Sequence, residues 1–162
     1  ASSNFKSDIV INVQGDEPFV KPSNIKKIIN FFKDKQNINI PVVSLIYETN
    51  DTEIIDDENC VKVVTDKNNF AMYFSRSKIP FLRNIDKSFN FHIHVGVYGF
   101  LSQSIIHFSS LKPSKLEKIE MLECIRFIEN GQKIKMIRID NPTIGIDTPN
   151  DLLAAKKYLE SI

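Results

Sequence analysis

Within its first fifty residues the chain sets out a strand, a helix and a second strand. Asp8 to Gln14 reads Asp-Ile-Val-Ile-Asn-Val-Gln and stops in the polar turn Gly15-Asp16-Glu17-Pro18. A short β-branched run bounded by turn residues is the pattern of a buried strand. Pro22-Ser23-Asn24 then opens a segment with Ile25, Ile28, Ile29 and Phe32 at i, i+3, i+4 and i+7. That spacing makes one apolar stripe on a helix, with lysines on the outer face. Pro41 to Tyr47 is a second apolar strand. Strand, helix, strand in this order predicts a right-handed crossover, a largely parallel sheet and an α/β fold.

The remaining segments extend the pattern. Asn50 to Glu58 is an acidic loop or short helix, and Cys60–Thr65 and Phe70–Ser75 form a hairpin about Asp66-Lys67-Asn68-Asn69. Ile79-Pro80-Phe81 ends its second strand, and residues 84–90 are a polar loop. His92 to Phe100 alternates, so His92, His94, Gly96 and Tyr98 share one face while Ile93, Val95, Val97 and Gly99 face a core. Ser102 to Ser109 is a short helix. Ser114 and Glu117 make a capping box for a helix that Gly131 ends. Lys133 to Ile139 is a strand. Thr148 caps a last helix with Pro149 in its first turn, predicted to bury Leu152, Leu153, Ala155 and Leu159.

Composition excludes several classes. At 162 residues the length suits one domain. Lys+Arg 21 against Asp+Glu 20 gives a net +1, too little to recruit nucleic acid or an anionic membrane. None of the five glycines lies in a dinucleotide-binding or P-loop frame. The two cysteines, Cys60 and Cys124, are far apart, which suits reduced thiols in the cytoplasm better than a disulfide framework or zinc ribbon. No apolar run reaches the ~18 residues of a membrane span, and Ala-Ser-Ser-Asn-Phe-Lys lacks a signal-peptide core.

Two junctions carry candidate chemistry. Asp16 and Glu17 emerge at the carboxyl end of a buried strand, where open α/β sheets bind ligands. Carboxylates there suit Mg²⁺ shared with substrate phosphates, or simply a polar turn. Asp147, in Gly145-Ile146-Asp147-Thr148-Pro149, would either favour the dipole of the helix it precedes or converge on the same metal. The His92-x-His94 pair can chelate zinc, but no further Cys or His lies near it to complete the usual three or four ligands.

Five motifs, in order, resemble one family. They are Val13-Gln14-Gly15-Asp16-Glu17-Pro18, Tyr73-Phe74-Ser75-Arg76 with Ile79-Pro80, His94-Val95-Gly96-Val97-Tyr98-Gly99, Leu116 to Glu123 (Leu-Glu-Lys-Ile-Glu-Met-Leu-Glu), and Gly145-Ile146-Asp147-Thr148-Pro149. Together they resemble the 3-deoxy-manno-octulosonate (KDO) cytidylyltransferases, or CMP-KDO synthetases, from Ile9 to Leu159. The resemblance implies a Rossmann-like, mostly parallel sheet of the nucleotide-diphospho-sugar transferase type with an inserted β-hairpin. It implies the reaction of CTP with KDO to give CMP-KDO and pyrophosphate, for lipopolysaccharide precursor synthesis, in a cytoplasmic homodimer built through the hairpin and the His92–Phe100 strand. By the same resemblance Asp16 and Asp147 are catalytic and hold Mg²⁺, while Gln14, Arg76, His94, Tyr98, Glu120 and Glu123 bind the sugar acid.

The residues themselves leave alternatives. Arg76 suits a bidentate carboxylate contact or a surface or interface ion pair. Glu120 and Glu123, placed on one helix from Ser114, would reach an occupied site, or Glu123 would pair with Arg126 at i, i+3. His92 matches no family position and is expected to be solvated. Cys124 stands where the family usually has Gln, which opens a related keto-sugar acid, such as an 8-amino analogue, as substrate.

Nothing here matches the family's N-terminal A-R-x-x-S-x-R-L-P-x-K signature, which binds the CTP triphosphate. Residues 1–162 therefore resemble the C-terminal two-thirds of the family's domain, lacking that segment. On its own the stretch is expected to be inactive, and a non-catalytic folding or dimerisation module is the remaining alternative.

Overall fold

The computed structural model describes residues 7–37, 39–84, 88–140, 145–146 and 148–160. Its sheet is built on one long strand. β5 (Phe91–Leu101) has β2 (Val42–Thr49) on one edge. Its other edge is shared end to end by β1 (Ile9–Val13) and β3 (Lys62–Thr65). β4 (Ala71–Ser75) closes the hairpin on β3, and β6 (Ile134–Arg138) lies outside β2. The hairpin turn is held by Asp66, whose Oδ1 accepts from the backbone N–H groups of Asn68 and Phe70.

One expectation is corrected here. β1, β2, β3 and β6 run the same way, as the crossover pattern predicts, but β5 runs against them through the middle. Among the described residues only β2 with β6 is a parallel pairing. The sheet is mixed, and its fold class is α/β as expected. Both edges of β5 are paired along most of its length.

Both faces of the sheet are covered. α1 (Pro22–Lys33) lies on one face and buries Ile28 against Val43, Leu45, Val95 and Val97. The other face carries Val42, Ile46, Phe74, Tyr98, Phe100 and Met136 against the helical segment from residue 102 to 129. That segment holds α3 (Ser102–Ser110), α4 (Lys115–Glu120) and α5 (Ile125–Glu129); α2 (Thr52–Asp56) precedes the hairpin. The capping box of Ser114 and Glu117 is present. Gly131, at φ 74°, ends α5 with bonds from Gly131 N–H to Ile128 O and from Gln132 N–H to Phe127 O, a Schellman stop.

The single helix expected between those signals is instead two short ones. Met121 takes a left-handed conformation (φ 55°, ψ 43°) and breaks it. The last helix, α6 (Pro149–Glu160), is capped as expected: Thr148 Oγ1 accepts from Asp151 N–H, and the Asp151 carboxylate returns the bond to Thr148 N–H at 2.7 Å. It buries only Ala155. Leu152, Leu153 and Leu159 are about half exposed, contrary to the stripe expected of them.

Candidate active site

The cavity opens where β1 leaves the edge of β5 and β3 takes it over. β2 and β5 pair Ser44 with Tyr98 and then Leu45 with Val95, so β5 bulges at Gly96 and Val97. A bulge frees backbone groups from the ladder, and such features concentrate beside functional sites. Here the Gly96 carbonyl accepts from Gln14 N–H at 3.1 Å, and Gly96 N–H donates to Glu17 Oε1 at 3.0 Å. The Gln14 side chain lies flat on Gly96: a Cβ at that position would come within 2.5 Å of Gln14 Oε1. Only glycine leaves room for it.

The resulting cavity has a volume of about 640 Å³, a size suited to a small polar ligand. Gln14, Asp16, Arg76, His94, Tyr98 and Glu123 all line it. Four separate stretches of chain thus bring six of the sequence-derived candidates to one place. Asp16 Oδ1 is buried with no hydrogen-bond partner among the described residues. Its backbone carbonyl accepts from Ile146 N–H at 2.8 Å, which ties the Gly145-Ile146 loop to the end of β1. Asp147 lies outside the described residues.

Glu120 does something other than line the cavity. Its carboxylate accepts from Ser75 Oγ at 2.7 Å, from the Arg76 backbone N–H at 2.9 Å and from Tyr73 Oη at 3.4 Å. Its carbonyl accepts from Arg76 Nε at 2.9 Å, and Arg76 also donates to the Glu58 carbonyl at 3.0 Å. Glu120 therefore braces Arg76, whose guanidinium donates to two backbone carbonyls and makes no ion pair among the described residues. Arg126 likewise turns away from Glu123. It forms a two-pronged pair with Glu117, with Arg126 Nε 2.7 Å from Oε2. That hydrogen bonding holds the Glu117 carboxyl below its ordinary range.

His94 packs between Phe74 and Tyr98, with ring centroids 5.2 Å from each. Burial pushes its pKa down to about 4, so the ring is neutral near neutral pH. Burial also raises the Tyr98 phenol and pushes the Cys124 thiol up to about 12, with the two groups in mutual contact. His92, expected to be solvated, is instead half-buried, with Nε2 3.1 Å from Glu48 Oε1.

A family model described as cytidylyltransferase matches residues 1–134. The chain belongs to the cytidylyltransferase family. It is 40% identical, over 98% of its length, to a 3-deoxy-manno-octulosonate cytidylyltransferase of Christiangramia forsetii, and 41% identical over its whole length to one of Flavobacterium johnsoniae. It spans 64% and 66% of those two relatives. Among solved structures it is similar to a CMP:2-keto-3-deoxy-manno-octonic acid synthetase complexed with CTP. That match has 31% identity and a TM-score of 0.87, and covers 98% of this chain and 64% of the other.

Sequence reasoning passed over several groups, three of which bear on the site. Lys118 lines the cavity and is exposed, but one lysine among many gave no signal. Asn59 lies in a loop that periodicity cannot place. Ser44 carried a signal that went unread: it is the lone hydroxyl in the fully buried run Val42-Val43-Ser44-Leu45-Ile46.

Proposed function

We propose that these residues carry the sugar-acid and metal side of a KDO cytidylyltransferase, which joins CTP and KDO to give CMP-KDO and pyrophosphate. The convergence of Gln14, Asp16, Arg76, His94, Tyr98 and Glu123 on one cavity carries this reading. Family membership and the names of relatives about 40% identical support it.

In this reaction the anomeric hydroxyl oxygen bonds to the α-phosphorus of CTP. The bond from that phosphorus to the pyrophosphate oxygen breaks, and the hydroxyl proton passes to solvent. Such a displacement depends mainly on positioning and charge neutralisation. Arg76, preset by Glu120 and Glu58, takes the sugar carboxylate. Gln14, His94 and Tyr98 take hydroxyls from the sheet side, and Glu123 from the helical side. Phe100, Phe108 and Phe127 border the same cavity and limit water there.

The donor set suits a hard divalent cation. Asp16 offers a buried carboxylate oxygen without a partner among the described residues, and the Ile146–Asp16 bond brings the chain just before Asp147 to the same point. Asp16 and Asp147 would hold Mg²⁺, which when bound supplies charge neutralisation at the triphosphate and the attacking oxygen.

We read the protein as a cytoplasmic homodimer that serves lipopolysaccharide precursor synthesis. No helix among the described residues is long and apolar enough to cross a membrane. Met72 on β4 and Phe81 beyond it are exposed at 60% and 87%, which supports the hairpin as the dimer surface. Cys124, lining the cavity in place of the family's usual Gln, favours a second reading: a related keto-sugar acid such as the 8-amino analogue.

Pyrophosphate release by the intact protein, with CTP and a panel of KDO, its 8-amino analogue and a sialic acid, tests both readings. Turnover with one of the octulosonates is expected. Turnover with the sialic acid alone, or with none, contradicts the assignment.

A further inference from the structure

Ser44 stands in β2 with no solvent exposure. A hydroxyl buried in an apolar strand is costly unless it is hydrogen-bonded. Its oxygen has three polar neighbours: the Val97 carbonyl at 2.9 Å, the Val95 carbonyl at 3.4 Å and His94 Nε2 at 2.8 Å. The first two exist because β5 bulges beside Ser44.

A serine hydroxyl has one proton to give and lone pairs to receive. Carbonyl oxygens only accept, so the proton goes to Val97 O. If it went to His94 instead, the lone pairs of Oγ and of the Val97 carbonyl would meet at 2.9 Å, a repulsive contact. With the proton on Val97 O, Oγ can only accept from the ring. Nε2 must then carry hydrogen, and in a neutral ring Nδ1 is bare.

We propose that Ser44 is a positioning residue that holds His94 as the Nε2–H tautomer, leaving Nδ1 to present a lone pair to whatever occupies the cavity. Among the described residues no hydrogen bond to Nδ1 is found, and the ring borders the cavity. This rests on the reading that the cavity takes a polyhydroxylated acid. It then sorts the substrate's groups. A bare nitrogen attracts a hydroxyl or an ammonium group and repels a carboxylate, so His94 meets a donor while Arg76 meets the acid. The second ring nitrogen of an active-site histidine is commonly set by the bond the first one makes, and here a serine on the neighbouring strand makes it.

Ring ¹⁵N shifts of histidine-labelled intact protein at neutral pH read the tautomer directly, with His94→Gln assigning the signal. The wild type is expected to show protonated Nε2 and bare Nδ1. Ser44→Thr should keep that pattern, and Ser44→Ala should yield mixed tautomers. A wild-type ring protonated at Nδ1 overturns the proposal even if Ser44→Ala does not fold. In steady state, Ser44→Ala should raise KM for the sugar acid about tenfold, as for one lost hydrogen bond. KM for CTP should not change, and Ser44→Thr should restore the sugar-acid value. An equal rise for both substrates overturns the positioning role. If no keto-sugar acid turns over while the tautomer is as stated, the functional reading fails and the tautomer stands.

Discussion

On the strand side of the cavity Asp16 keeps a buried carboxylate oxygen with no partner among the described residues, whereas on the helical side Glu117 and Glu120 are fully engaged. Glu117 receives the Arg126 fork and the Ser114 backbone N–H. Glu120 receives Ser75, Tyr73 and Arg76. The two sides carry the same kind of side chain and put it to different uses. Strands β1 and β5 are fixed by a ladder, so their polar groups can be left open to a ligand. Beyond α3 the helical side is two short pieces, α4 and α5, joined through Met121, and helices of this length are marginal alone. Their carboxylates are needed to hold them on the sheet. We therefore place the chemistry of the cavity on the strand side; on the helical side Glu123 lines it together with Glu117, which is tied to Arg126.

The largest effect that would break this division falls on Glu117. Glu117→Ala leaves Arg126 nearly buried without its counter-ion, a change that costs roughly 3–5 kcal/mol. Urea denaturation is expected to show it as a lowered midpoint. Because Arg126 holds the Glu117 carboxyl low, this stabilisation is present above the ordinary Glu range and is lost as pH falls through the lowered folded value. A midpoint within experimental error of wild type would mean that the helical side does not depend on the pair.

His94 gives the next effect. Its folded pKa of about 4 lies below the ordinary 6.5, so the unfolded chain takes up the proton first. Stability should fall as pH drops from about 6.5 to about 4, by on the order of 3 kcal/mol at most. His94→Gln should flatten that limb, and an unchanged slope would contradict a neutral buried ring.

Smaller effects sharpen the comparison. Glu120→Gln should cost about 1–3 kcal/mol, since one of the Ser75 and Arg76 donors loses its acceptor. It should also raise KM for the sugar acid through a displaced Arg76. Gly96→Ala places a Cβ against Gln14 Oε1. It should raise the same KM about tenfold, the value of one hydrogen bond, with thermal stability close to wild type.

Much of the fold was legible in the sequence, for physical reasons that can be named. Strand and helix identities followed from period 2 and period 3.6, and the helix ends at Ser114, Gly131 and Thr148 from capping chemistry. Strand direction was not legible, because alternation along His92–Phe100 is the same whichever way the strand runs. That is why β5 was placed in a mostly parallel sheet when it lies antiparallel at the centre. The break at Met121 carries no Gly or Pro, so 3.6-residue periodicity ran straight through it and set Glu120 and Glu123 on one helix. Gln14, one residue past β1, and His94 and Tyr98 on β5 all line the cavity, and the alternation along β5 put the latter two on one face. The partners of Glu120 and Arg126 depend on tertiary packing that no local pattern encodes. The half-exposed leucines of α6 show the reverse: an amphipathic stripe states what a helix could bury, not what these residues place against it.

The central claim is that the open carboxylate on the strand side performs the chemistry and the engaged carboxylates on the helical side hold the structure. Pyrophosphate release by Asp16→Asn and by Glu120→Gln, in the intact protein at saturating CTP and sugar acid, tests it most directly. We expect kcat to fall by about a thousandfold in Asp16→Asn, the size of a lost transition-state charge contact, with no loss of stability. In Glu120→Gln we expect kcat to stay within a fewfold of wild type. A surviving kcat in Asp16→Asn beside a collapsed one in a folded Glu120→Gln would contradict the account.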